Sequence, residues 1–301
     1  MELGMVGLGK MGANMSVRLI RGGHRVVGYD PQANAVDRLE ASGGVGARAL
    51  AAVGERLSPP RAVWLMVPSG DPVDQTIDAL LPVLARGDVI IDGGNSYYKD
   101  SLRRSGRVRE RGLAFVDVGT SGGIWGLQEG YCLMVGGDQE VVARLTPVFQ
   151  TLAPGPDRGW GRVGPTGAGH FAKMVHNAIE YGLMQAYAEG FELMGRKREF
   201  ALDLGQIAEI WRYGSVVRSW LLDLAARALS ENPTLEGVAA YVPDSGEGRW
   251  TLIEAIEQAC AIPAISIALE WRFRSRDPQP FTDRLLSALR GQFGGHEVKR
   301  T

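Results

Sequence analysis

Cysteine is nearly missing from this 301-residue chain: Cys132 and Cys260 lie far apart without CxxC spacing, so neither a disulfide framework nor a zinc site is expected. That usage fits a reducing, cytoplasmic setting. The start, Met1-Glu2-Leu3-Gly4-Met5-Val6-Gly7, lacks the basic region of an export signal, and no apolar run approaches the roughly 18 residues a membrane span needs, so no membrane partner is expected. Charge of one sign is lacking too. The 33 Lys and Arg balance 34 Asp and Glu to a net -1, without a charged block or arginine-rich tail, which argues against nucleic acid as a partner. Lysine is scarce in its own right: Lys10, Lys99, Lys173, Lys197 and Lys299 are the whole set. The place of each therefore carries information.

What is present is 45% hydrophobic residues over a length that, at about 100–200 residues per domain, suggests two domains. Up to about residue 163, short runs rich in Val and Ile alternate with segments of helical period. The runs Leu3–Val6, Arg25–Tyr29, Ala62–Val67, Val89–Asp92 and Leu113–Val118 read as strands of a parallel sheet in βαβ order, with Tyr131–Val135 and Trp160–Val163 at its far edge. From Gly169 helical periodicity takes over through Leu289, and the first of these helices is expected over about 169–195. Breaker-rich segments at Pro154-Gly155-Pro156 and Gly164-Pro165-Thr166-Gly167 suggest a hinge, so domains are expected at 1–164 and 165–301.

Gly7-Leu8-Gly9-Lys10-Met11-Gly12 follows the first strand and opens a helix. In that position Gly7 permits the tight turn, Gly9 admits a pyrophosphate to the backbone N–H groups, and Gly12 lets helix and strand pack closely. The fold class is thus an α/β Rossmann-type dinucleotide-binding domain followed by an all-α domain. Asp30 ends the second strand about 20 residues on, where a carboxylate accepts from ribose hydroxyls and repels a 2′-phosphate. It could equally cap a helix beginning at Pro31. No Arg or Lys falls between Asp30 and Arg38, which favours NAD over NADP.

On the helix expected from Gly169, residues His176, Asn177, Glu180 and Tyr181 fall within about 80° of Lys173 at 100° per residue. Met174, Val175, Ala178 and Ile179 make the opposite, apolar face. A solvated face would more commonly carry several Glu, Lys and Arg. A lysine and a carboxylate on one face suit acid–base chemistry on a hydroxyl, without any metal-ligand cluster. As a base near pH 7, Lys173 must drop from about 10.4 to near 7, worth about 4 kcal/mol, which desolvation can supply.

Through the Gly7–Gly12 fingerprint, Asp92-Gly93-Gly94-Asn95-Ser96, Gly119-Thr120-Ser121-Gly122-Gly123, the run from Gly169 to Tyr181 and the tail Phe293-Gly294-Gly295-His296, the chain resembles 6-phosphogluconate dehydrogenases, in their short NAD-using form. The wider 3-hydroxyacid dehydrogenases share the fingerprint, the Ser-Gly-Gly loop and a Lys…Asn pair. The resemblance implies that Lys173 takes the 3-hydroxyl proton as hydride passes to NAD, then polarises the 3-keto group so that CO2 departs without a metal. It implies that Glu180 protonates C1 of the enediol, giving ribulose 5-phosphate. Val67 and Asn95 join Gly7, Leu8, Gly9, Lys10, Met11, Gly12 and Asp30 as implied cofactor contacts. Asn95, Ser121, Gly122, Gly123, His176 and Asn177 match positions that hold the sugar acid. Tyr181, Arg272, Arg290 and His296 match phosphate positions, with the tail pair reaching in from a neighbouring subunit of a homodimer or homotetramer; Arg274 lies close enough to compete with Arg272.

One departure stands out. Ser245 occupies the place of a phosphate-binding lysine in longer members, so an NAD-dependent dehydrogenase of an unphosphorylated 3-hydroxy acid is an alternative. A non-catalytic NAD-binding regulator is another, against which Lys173, Asn177 and Glu180 speak. Cys132 reads as a small buried residue.

Overall fold

The computed structural model describes residues 1–294 and 297–299. The chain divides into two compact units, one running from Met1 to His176 and the other from Asn177 onward.

In the first unit the elements are β1 (Glu2–Val6), α1 (Lys10–Arg21), β2 (Arg25–Tyr29), α2 (Ala33–Ala41), β3 (Val45–Ala47), α3 (Leu50–Glu55), β4 (Ala62–Leu65) and α4 (Asp71–Leu80). They continue as β5 (Val89–Asp92), α5 (Tyr98–Glu110), β6 (Ala114–Ser121), α6 (Gly126–Glu129), β7 (Cys132–Gly136), α7 (Gln139–Arg144), α8 (Thr146–Leu152), β8 (Trp160–Gly164) and the start of α9 (Ala168–Arg196). The strands form one sheet in the order β3-β2-β1-β4-β5-β6-β7-β8. Pairing is parallel except between β6 and β7. Between β1 and β4 the order reverses, and such switch points are where open α/β sheets take ligands at their carboxyl edge.

The strands read as continuous apolar runs because alternate residues feed two cores. Leu3 and Met5, Trp64, Val89 and Ile91, Val116 and Val118 join Met15 and Leu19 of α1 on one face. Val6, Val63 and Leu65, Ile90 and Phe115 join Val73 and Ile77 of α4 and Val108 of α5 on the other. Each such fully buried aliphatic side chain contributes about 1.5–3 kcal/mol.

Two expectations change, at β3 and at Cys132. β3 is an added strand whose three residues, Val-Gly-Ala, are too short for a visible alternation. β8 is the far-edge strand expected at 160–163, paired with β7 between the two breaker-rich segments. Cys132 is exposed, because it begins β7 at the strand end, opposite Ser121. The first compact unit continues past 164 into the opening turns of α9. There the buried Asp117 carboxylate of β6 accepts from the backbone N–H groups of Gly167 (2.6 Å) and His170 (2.8 Å), as an N-terminal cap does.

In the second unit α9 continues and is followed by α10 (Leu204–Trp211), α11 (Trp220–Glu231), α12 (Glu247–Glu257), α13 (Pro263–Ser275) and α14 (Phe281–Gly294). Phe191 of α9 packs with Ala208, Leu222, Ala226 and Leu229, while Tyr181 packs with Ala268 and Leu269 of α13. Among the described residues no helix is long and apolar enough to cross a membrane.

Candidate active site

At the carboxyl edge of β1, two of the three fingerprint glycines are demanded by the protein itself. Gly7 sits at φ +93°, and a Cβ there would lie 2.4 Å from the Met66 carbonyl oxygen; one at Gly12 would lie 2.0 Å from that of Gly7. A Cβ at Gly9 would meet nothing within 4 Å. The bare backbone at Gly9 is therefore not needed for packing, and it leaves the N-terminus of α1 open. No side chain caps that terminus and no acidic residue occupies its first turn, which fits a pyrophosphate on the backbone N–H groups. Leu8 is buried, Met11 half-buried against the core, and Lys10 exposed.

Asp30 braces this loop. Its Oδ2 accepts from the Leu8 backbone N–H (2.8 Å) and its Oδ1 from that of Gln32 (2.9 Å). The following helix starts at Ala33, so Pro31 is not its first residue; Asp30 instead closes a turn onto Gln32. Each carboxylate oxygen retains a second lone pair for a ribose hydroxyl.

The loops after β4 and β5 touch. A Cβ on Gly94 would stand 3.1 Å from the Val67 carbonyl oxygen, and one on Gly93 would collide with the Trp64 indole. Asp92, fully buried, accepts from the Gly94 N–H (3.2 Å) and the Ser96 hydroxyl (2.8 Å), so the turn presenting the half-buried Asn95 is fixed from beneath.

Lys173 is buried, and its stem lies on β6: a Cβ at Gly119 would fall 2.4 Å from Lys173 Cβ. Cβ atoms at Gly136 and Gly169 would crowd Asp117 as closely. The Ser121 hydroxyl and His176 Nε2 lie 3.5 Å apart, beside Gly122 at φ +132° and Gly123 at φ +52°. The first unit thus brings together the fingerprint, Asp30, Val67, Asn95, the Ser-Gly-Gly turn, Lys173 and His176. Sequence reasoning missed Asp117, whose position before the glycine of Gly119-Thr120-Ser121 was its one signal.

The second unit holds Asn177, the half-buried Glu180 and the buried Tyr181 on α9. The apolar face is less buried than expected, since Ile179 is 51% exposed whereas Tyr181 is 8% exposed. Asn177 Nδ2 donates to Oε1 of Glu247 (3.1 Å), a buried carboxylate in the first turn of α12 that sequence reading passed over; the Ser245 hydroxyl donates to its Oε2 (2.7 Å). The Arg272 guanidinium stacks 3.5 Å from the Tyr181 ring centroid and donates to the Pro243 carbonyl (2.7 Å). Arg274 pairs with Asp283, so Arg272 is the arginine that stands with Tyr181. Asp244, next to Ser245 in sequence, is held below its ordinary value by the hydrogen bond from Arg249, with Arg276 adding to it. Arg290 is exposed on α14, and His296 lies outside the described residues. Among the described residues no group of three or more His, Cys, Asp or Glu could hold a metal ion.

A dinucleotide-type sheet with an open helix N-terminus and a buried lysine in the same unit, followed by a helical unit, defines an oxidoreductase of the two-unit dehydrogenase class. The sequence model described as the NAD binding domain of 6-phosphogluconate dehydrogenase matches residues 2–161, and that of its C-terminal domain residues 169–279. The chain belongs to the 6-phosphogluconate dehydrogenase family. It is 46% identical to the NAD(+)-dependent, decarboxylating 6-phosphogluconate dehydrogenase of Haloferax volcanii, over all of this chain and 99% of that one. YqeC of Bacillus subtilis strain 168, whose name assigns the dehydrogenase activity provisionally, is 42% identical over the full length of both. Among solved structures, the Plasmodium falciparum 6-phosphogluconate dehydrogenase, studied with NADP+ and with 6-phosphogluconate, superposes with a TM-score of 0.84 at 26% identity. All of this chain is covered there, but only 66% of that longer one.

Proposed function

We propose that the chain oxidatively decarboxylates 6-phosphogluconate to ribulose 5-phosphate and CO2, with NAD as oxidant and without a metal. The observation that carries this reading is the buried Lys173, seated on β6 through Gly119 in a unit with an open dinucleotide loop. NAD, when bound, accepts the hydride from C3. Neutral Lys173 takes the proton of the 3-hydroxyl, and the resulting ammonium then hydrogen-bonds the C3 carbonyl oxygen. As the C1–C2 bond breaks and CO2 leaves, that ammonium stabilises the negative charge developing on the oxygen. Glu180 returns a proton to the carbon that lost CO2. Asn95, Ser121, Gly122, Gly123, His176 and Asn177 hold the hydroxyls and carboxylate, and Tyr181 with Arg272 receives the phosphate. Arg290 and His296 complete a neighbouring subunit's phosphate site, so the working form is a homodimer or homotetramer. Asp30, already oriented by Leu8, supports NAD over NADP.

A second reading has one specific support. The Ser245 hydroxyl is engaged with Glu247, so the position of the longer relatives' phosphate lysine offers no cation. An unphosphorylated 3-hydroxy acid is the substrate in that case. Reduced-cofactor formation with 6-phosphogluconate, run with NAD and NADP in parallel, with chelator present and CO2 followed, tests the proposal. One CO2 per NADH with NAD preferred is the expected result. Failure with both cofactors, in protein that binds NAD, favours the second reading.

A further inference from the structure

Arg104, on α5, is fully buried and takes no part in the chemistry above. Its guanidinium reaches acceptors from two loops at once. Nη2 donates to the Gly70 carbonyl (2.9 Å) and to Asp74 Oδ2 (2.9 Å), on the loop and helix that follow β4. Nη1 donates to the Ser96 hydroxyl (3.3 Å) and stands 3.5 Å from Asp92 Oδ2, on the turn that follows β5. Nε completes the fork onto Asp74 (3.2 Å). Asp74 is itself clamped from outside by Arg103 (2.8 Å) and Arg107 (3.0 Å).

We propose that Arg104 is a positioning residue, which locks the Asn95 turn to the Val67 loop and so presets the cradle at the carboxyl edge of β4 and β5. The inference rests on the dinucleotide part of the proposed function. The geometry favours a role in presetting the edge over simple ballast. Val67 and Asn95 lie on the two segments Arg104 joins, and those segments already approach each other at Gly94. The core between α5 and the sheet is meanwhile supplied by Val108 and Phe115. Only the planar fork of five N–H donors can serve both loops; a lysine keeps the charge but cannot bridge them.

The test is Arg104→Lys, with Ser96→Ala as a milder variant that removes one arm of the bridge. NAD affinity is measured by calorimetry in each, with melting temperature and, where the sugar acid is turned over, KM and kcat. Arg104→Lys is expected to weaken NAD binding by about tenfold or more, equal to about 1.4 kcal/mol, and Ser96→Ala by less. The double variant should lose less than the product of the two, because both act on one bridge. Melting temperatures that fall while NAD affinity and KM stay at wild-type values would overturn the inference. If Arg104→Lys does not fold, Ser96→Ala decides alone: unchanged NAD affinity counts against the bridge. Calorimetry with NAD needs no turnover, so failure of wild-type protein to oxidise 6-phosphogluconate would count against the proposed substrate and leave this test intact.

Discussion

Asn177 and Glu247 are joined by a hydrogen bond of 3.1 Å, donated by the asparagine amide to a carboxylate that is 1% exposed. Because Ser245 donates to the other oxygen, this carboxylate orients the Asn177 amide that the proposed function sets on the sugar acid. Glutamine at 247 has one acceptor oxygen for two donors. Glu247→Gln is expected to raise KM for the sugar acid about tenfold, consistent with about 1.5–3 kcal/mol for a hydrogen bond to a charged group, while KM for NAD stays unchanged. Steady-state kinetics with each substrate varied in turn checks it. Equal rises in both constants would point to general loosening.

Lys173→Ala should bind NAD normally and lose turnover by about 10³-fold or more, since it removes both the proton acceptor and the group that holds the carbonyl oxygen. Calorimetry with NAD and an NADH assay suffice. Retained turnover would end the assignment of Lys173 as base.

Removing Asp30 has two effects because it faces two ways. Asp30→Ser is expected to weaken NAD binding about tenfold through the loss of the Leu8 brace and the ribose acceptor, and to improve NADP relative to NAD by removing the repulsive charge. The ratio of kcat/KM for the two cofactors is the readout. An unchanged ratio would leave Asp30 a loop brace alone.

Acid should destabilise the chain in two stages. Burial pushes the His24 imidazole below its ordinary value. Its folded pKa is lower than the unfolded one, so the unfolded chain binds the proton more readily and stability falls as pH drops below about 6.5. The Arg103 hydrogen bond, with help from Arg104, holds Asp74 far below the usual carboxylate range. That stabilisation is present above the unfolded value of about 3.9 and is lost as pH falls through and beneath it. Urea midpoints taken from pH 8 to pH 3 should show both declines; His24→Gln should lose the first and Asp74→Asn the second.

The fold was legible because its signals are local and periodic: Val- and Ile-rich runs ending at Gly7 and Asp92, and the long apolar period of α9. β3 escaped because three residues carry no period. The site was legible where a motif fixes a residue's place, as with Gly7–Gly12 at the end of β1 and the buried Lys173. It was not legible where the role depends on a partner distant in sequence. Glu247 reads as an ordinary first-turn acid until its burial beside Asn177 is seen, and Arg104 is one arginine in an arginine-rich helix until Gly70 and Ser96 are found on either side of it. The tie between α9 and the sheet escaped for the same reason, since Asp117 lies some fifty residues before the helix it caps.

Gly119, Gly136 and Gly169 let α9 lie against the sheet at a distance no side chain would tolerate. None of them touches a reacting atom, yet each is one base change from an alanine codon that would push the lysine-bearing helix away. The candidate site therefore presents a mutational target wider than its chemistry, and much of that target consists of atoms that are not there. In a random library screened for lost activity, inactive clones should accumulate at these three positions as well as at Lys173. An inventory of functional groups alone would overlook them.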